Sequence, residues 1–126
     1  MQRIGVDAVS VDRIALAVRR SGPGFLTRAY TPAELAYCAG NDERLAGRWA
    51  AKEAVIKAWS GSRFSKRPML PEGIHRDIEI VTDMWGRPRV RLSGAIAEHL
   101  KEITIHLSLT HEGDTAAAVA VLESAG

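Results

Sequence analysis

The chain has 126 residues, 46% hydrophobic and 25% charged, the balance of one soluble globular domain spanning 1–126 with a modest core. Its formal charge is only +2, it carries a single cysteine, Cys38, and no apolar run approaches bilayer length. An internal disulfide, a cysteine-built metal cage and a membrane-spanning helix are therefore excluded, and the opening MQRIGVDAVS lacks the layout of a signal peptide, so a cytoplasmic chain is expected.

In chain order, residues 2–8 read as a strand on which Ile4 and Val6 share one face and Asp7 points to the other. Ser10 caps a helix over 11–20, which the Ser21-Gly22-Pro23-Gly24 breaker ends. Thr31 opens a second helix, with Pro32 at its first position and Glu34 completing a capping box; it stops near Gly40-Asn41. The segment from Asp42 to Trp59 is rich in Ala, Leu, Arg, Lys and Glu and predicts a long helix ended by Gly61. Residues 60–73 form a basic loop.

From Ile74 the texture turns to strand. Asp77–Val81 and Arg89–Leu92 read as strands around a turn carrying Gly86, and Ser93 caps a short helix over 94–101. Ile103, Ile105, Leu107, Leu109 and His111 then alternate with Thr104, His106, Ser108 and Thr110. A turn at Glu112-Gly113-Asp114 leads into an almost wholly apolar strand, Thr115–Glu123. The expected fold is α+β, an antiparallel sheet packed with a long Ala-rich helix.

Positive charge clusters at Arg13, Arg19, Arg20 and Arg28, at Arg44, Arg48, Lys52 and Lys57, and at Arg63, Lys66 and Arg67. Such clusters suit an anionic partner. On the long helix Leu45, Trp49 and Ile56 share the core sector, while Glu53 and Lys57 lie on an adjoining one beside Ala46 and Ala50. That pair is either a surface ion pair or a carboxylate and ammonium open to a ligand. Asp7 in a buried-looking strand needs a partner or a metal. Two carboxylates with phosphate oxygens make the hard shell that Mg²⁺ prefers, though the spacing of Asp7 and Glu53 does not establish that they meet. His111 stands at the edge of the core, either structural or reaching into a cleft. His106 and His111 lie on opposite faces, which argues against a two-histidine metal site. There is no Walker loop and no GxGxxG; Gly61 in Ser60-Gly61-Ser62 is the remaining glycine whose neighbourhood could meet a phosphate.

Three segments, IGVDAVSVDRI, RLAGRWAAKEAVIKAW and HLSLTHEGDTAAAVAV, together resemble the holo-acyl-carrier-protein synthase family, and FLTRAYTPAELAYC and GRPRVRLSG extend the likeness over nearly the whole chain. The resemblance implies the 4′-phosphopantetheinyl transferase fold and transfer of 4′-phosphopantetheine from coenzyme A to a serine of apo acyl carrier protein, releasing 3′,5′-adenosine diphosphate. It implies Asp7 and Glu53 as Mg²⁺ ligands, Lys57 at the phosphates and His111 near the reacting centre. Arg48 and Lys52 would surround coenzyme A, with Gly61 beside it. Arg13 and Arg20 would dock the acidic helix of the carrier, and a homotrimer would place each site between subunits. Glu53, His111 or a water at the metal would take the serine proton. Ser10 stands where the family usually has glutamate, and Trp49 where it usually has phenylalanine. The basic loop 62–72 is expected to border the adenosine 3′-phosphate pocket or the carrier interface. Two other classes compete: a non-catalytic module for coenzyme A or a nucleotide, which would not need both carboxylates, and a nucleic-acid-binding domain. The few aromatics and the absence of a recognition motif argue against the latter.

Overall fold

The computed structural model describes residues 2–66 and 73–125. The chain begins with strand β1 (Gln2–Ser10) and helix α1 (Val11–Ser21), where the Ser10 hydroxyl accepts the Arg13 N–H at 3.4 Å. A helix not read from the sequence follows, α2 (Pro23–Ala29). Gly22, at φ 57°, makes the break, and Pro23 then starts a new helix at a position where its missing N–H costs nothing. Helix α3 (Pro32–Cys38) has both bonds of the capping box between Thr31 and Glu34.

Helix α4 (Asp42–Gly61) is capped by Asn41, whose side chain accepts from Arg44 N at 2.9 Å. After a short helix α5 (Ile74–Asp77) come strands β2 (Ile78–Thr82) and β3 (Pro88–Leu92), helix α6 (Gly94–His99), and strands β4 (Ile103–Glu112) and β5 (Thr115–Ser124). Ser93 does not cap α6 through its side chain; its hydroxyl donates to Asp77 instead, at 3.1 Å.

The strands form two antiparallel sheets: β1-β5-β4, and the separate hairpin β2-β3. Helix α4 lies on the inner face of the larger sheet. Ala116, Ala118, Ala120 and Leu122 of β5 turn inward with the period of two and are buried beneath it, together with Ala50, Ala51, Ala54, Val55 and Ala58 of the helix. The tightest approach is at Gly5 of β1. A Cβ there would overlap the Ala54 carbonyl oxygen and stand 2.6 Å from Ala58 N, so only glycine lets strand and helix backbones touch. Ile78 and Ile80 carry the hairpin onto the same core.

Strand β1 has Ile4 and Val6 on one face and Asp7 on the other, as the period of two predicts, and the apolar face is the outer one. Ile4 and Val6 point outward, 68% and 55% exposed, while Gly5, Asp7 and Val9 face α4. The inner face of β1 is written in small or polar residues because a helix backbone presses on it. The outer face keeps the larger apolar groups uncovered within a single chain.

Candidate active site

Lys57 ties Asp7 of β1 to the part of α4 that carries Glu53. The ammonium of Lys57 donates to Asp7 Oδ1 at 2.8 Å, and Lys57 follows Glu53 by one turn of α4. That contact raises the Lys57 pKa, with Asp7 as its main cause and Glu53 adding to it. The Glu53 carboxyl is held below its ordinary range, first by a hydrogen bond from His75 and then by the charges of His75, Lys57 and Arg13, against an opposing desolvation. His75 Nε2 lies 2.9 Å from Glu53 Oε1. Glu53 and His75 are each about a quarter exposed, so the cluster sits at the surface of a cleft.

The donor set fits a hard divalent cation. Two carboxylates converge beside a cationic side chain, and each has one oxygen already engaged, Asp7 Oδ1 by Lys57 and Glu53 Oε1 by His75. Among the described residues no group of three or more His, Cys, Asp or Glu could hold a metal, so further ligands would come from phosphate oxygens and water.

His111 belongs to a different group. It lies at the end of β4, exposed, with Nδ1 3.7 Å from Glu43 Oε2. It lines a pocket of about 340 Å³ with Tyr37, Arg44, Arg48, Thr82 and Thr110. Arg48 is buried there with its guanidinium 3.9 Å above the Tyr37 ring, and its Nε has no hydrogen-bond partner among the described residues. A buried, incompletely satisfied guanidinium at a pocket wall suits an anion.

The two groups do not meet within one chain. Asp7 registers with Ala118, and Ala118 with Leu109, two residues before His111. With strands ~4.8 Å apart, Asp7 and His111 are on the order of 12 Å from one another. The intervening Ala116 and Ala118 are sealed under α4, so no open path joins them along the inner face.

Lys52 corrects an expectation. Instead of facing coenzyme A it is fully buried, paired with Glu34 Oε1 at 2.7 Å and donating also to the carbonyls of His75 and Ile78. Its three N–H groups are all used inside the chain, and burial lowers its pKa. The other oxygen of Glu34 accepts from Ile80 N at 2.8 Å. This lysine ties α3, α4, α5 and β2 together. Gly61 closes α4 at the surface. Arg13 and Arg20 are exposed on α1. Of the basic loop, residues 67–72 lie outside the described residues. His75 was not singled out from the sequence: a lone histidine in a polar stretch, 22 residues from its partner, gives no pattern to read.

Residues 3–121 match the model of the 4′-phosphopantetheinyl transferase superfamily. The chain is 65% identical over 124 residues to the holo-[acyl-carrier-protein] synthase of Mycobacterium sp. (strain KMS), covering 95% of each chain. Among solved structures, a Mycobacterium tuberculosis acyl carrier protein synthase matches with TM-score 0.84 at 59% identity, over 98% of this chain and 97% of that one. A coenzyme A complex of the Chronobacterium ammoniagenes synthase matches with TM-score 0.89 at 33% identity, over 100% and 99%.

Proposed function

The chain belongs to the 4′-phosphopantetheinyl transferase superfamily, among the holo-acyl-carrier-protein synthases, and from that premise we propose a Mg²⁺-dependent transfer from coenzyme A to a carrier serine, built on Asp7, Glu53 and Lys57. The observation that carries this is the Lys57–Asp7 contact at 2.8 Å, which ties Asp7 to the part of α4 that carries Glu53, whose charge also acts on Lys57.

The serine hydroxyl attacks the β-phosphorus of coenzyme A, the pyrophosphate bond breaks, and 3′,5′-adenosine diphosphate leaves. Mg²⁺ held by Asp7 and Glu53 would neutralise charge on the pyrophosphate. Lys57, half exposed at the end of a flexible stem, can exchange Asp7 for a phosphate oxygen and stabilise the leaving group. Glu53 suits the ligand role better than that of base, because a carboxylate held below its ordinary range is a weak proton acceptor.

Arg48 and His111 would hold the nucleotide end of coenzyme A or sit near the reacting serine. Since they are sealed off from Asp7 and Glu53 within one chain, one coenzyme A would meet both groups where two copies join. The uncovered outer face of the sheet supports such an assembly: Ile4, Val6 and Val119 are 68%, 55% and 42% exposed. A homotrimer with sites between subunits is the reading adopted. Arg13, whose charge reaches Glu53, and Arg20 toward the end of α1 would receive the acidic carrier helix. The single domain 1–126 would act in the cytoplasm, supplying holo carriers to fatty-acid synthesis. Among the described residues no helix is long and apolar enough to cross a membrane.

The test is direct. Mixing the protein with coenzyme A, Mg²⁺ and an apo acyl carrier protein should add one phosphopantetheine to the serine, read by mass spectrometry. Asp7→Ala and Glu53→Ala should each abolish transfer with assembly intact; full activity in either refutes the metal assignment.

A further inference from the structure

Glu53 is held by His75, and His75 is itself fixed by its ring and by its main chain. His75 Nε2 stands 2.9 Å from Glu53 Oε1. A carboxylate acceptor requires the hydrogen on that nitrogen, so the imidazole donates. The imidazole lies flat on the Trp49 ring, centroids 4.3 Å apart and planes 5° from parallel, and Trp49 sits one turn before Glu53 on the same face of α4. Trp49 is backed in turn by Phe25 of α2, at 5.5 Å. The main chain of His75 is pinned from inside, because its carbonyl accepts from the buried Lys52 at 2.7 Å. Ring plane, ring position and backbone are all fixed before any ligand arrives.

The consequence for the carboxylate is geometric. With Oε1 engaged, Oε2 is the oxygen left to present. Mg²⁺ takes short bonds of near-ideal octahedral geometry and is served by one oxygen from each of a few carboxylates. A free glutamate side chain samples several rotamers and would have to be ordered on binding. Here that ordering is already done.

We propose that His75 is a positioning residue of the cation site: it orders Glu53 so that Oε2 faces a small divalent cation, and thereby sets the affinity for that cation. The inference rests on the metal reading above and deepens it. His75 acts through Glu53 in this role. Imidazoles and carboxylates that orient metal ligands in this way change metal affinity about tenfold or more when removed.

The experiment uses the intact protein with coenzyme A and no carrier, titrated with Mn²⁺ while free Mn²⁺ is read by electron paramagnetic resonance. His75→Phe keeps a ring over Trp49 and removes the donor; His75→Gln keeps a donor and changes the ring. His75→Phe should bind Mn²⁺ about tenfold more weakly than wild type, and His75→Gln should recover part of that loss. In turnover, the Mg²⁺ concentration for half-maximal rate should rise in His75→Phe by a larger factor than kcat falls. Equal Mn²⁺ affinity in wild type and His75→Phe overturns the proposal, as does equal weakening in both variants, which would assign the effect to packing. Should His75→Phe fail to fold, His75→Leu, which also removes the donor, takes its place: Mn²⁺ binding weaker than in His75→Gln supports the proposal, and binding equal to or tighter than in His75→Gln overturns it. Glu53→Gln serves as the reference: if wild type binds Mn²⁺ no better than this variant, the metal reading itself fails.

Discussion

Two lysines of α4 form ion pairs of opposite character. Lys52 and Glu34 are both fully buried, with each remaining N–H and the second carboxylate oxygen satisfied by backbone. Lys57 and Asp7 meet at a similar distance, 2.8 Å, but the lysine side chain is 54% exposed and Asp7 is its single acceptor among the described residues. A buried pair cannot exchange partners without leaving a charge in a dry interior, so it fixes structure. An exposed pair contributes little to stability and is free to trade one anion for another. Chemistry is expected at the second and rigidity at the first.

The widest separation between them should appear in Glu34→Ala. Removing that carboxylate strands Lys52 and should cost about 3–5 kcal/mol, read by urea denaturation. A loss under about 1 kcal/mol would erase the distinction, since that is what an exposed pair contributes. Adding Lys52→Met should restore only part of the stability, because Thr31 N and Ile80 N would still lack their acceptor. Asp7→Asn should show the reverse: stability within about 1 kcal/mol of wild type, yet phosphopantetheine transfer down roughly a hundredfold or more. The smallest effect concerns Cys38, wholly buried at the end of α3, where burial pushes its thiol pKa up. The unfolded thiol ionises near pH ~8.5 and the folded one above that. Stability should therefore be flat in this residue's contribution below that pH and fall as pH rises past it. Cys38→Ala should remove this small slope, measured by denaturation at pH 7 and 10.

The long regular elements were legible because their signals are local. The capping box at Thr31 and Glu34, the alternation from Ile103 to His111 and the Ala-rich run of α4 each state their structure within a few residues. Helices α2 and α5 were not, being short pieces whose proline and glycine read as breaks until the next turn is seen to be helical. The two faces of β1 were legible, but not which one turns inward, since its larger apolar residues point outward and a bare backbone fills the interior. At the site, Lys57 meets Asp7 across 50 residues, a contact that spacing alone did not tell. Lys52 was misplaced because its partner Glu34 lies on another helix, although a lysine among Ala50, Ala51 and Ala54 already hints at a buried cation. His75 could be found only in three dimensions.

Gly5 gives these contacts a further meaning. It lies two residues before Asp7, and it rests on Ala54, the residue after Glu53. The spacing of the strand that carries Asp7 from the helix that carries Glu53 is thus gauged by main chain against main chain. In the proposed cation site, that one missing methyl group would bear on the radius of the ion accepted. Gly5→Ala should pry strand from helix and favour Ca²⁺, with bonds of about 2.3–2.6 Å, over Mg²⁺ at about 2.0–2.1 Å.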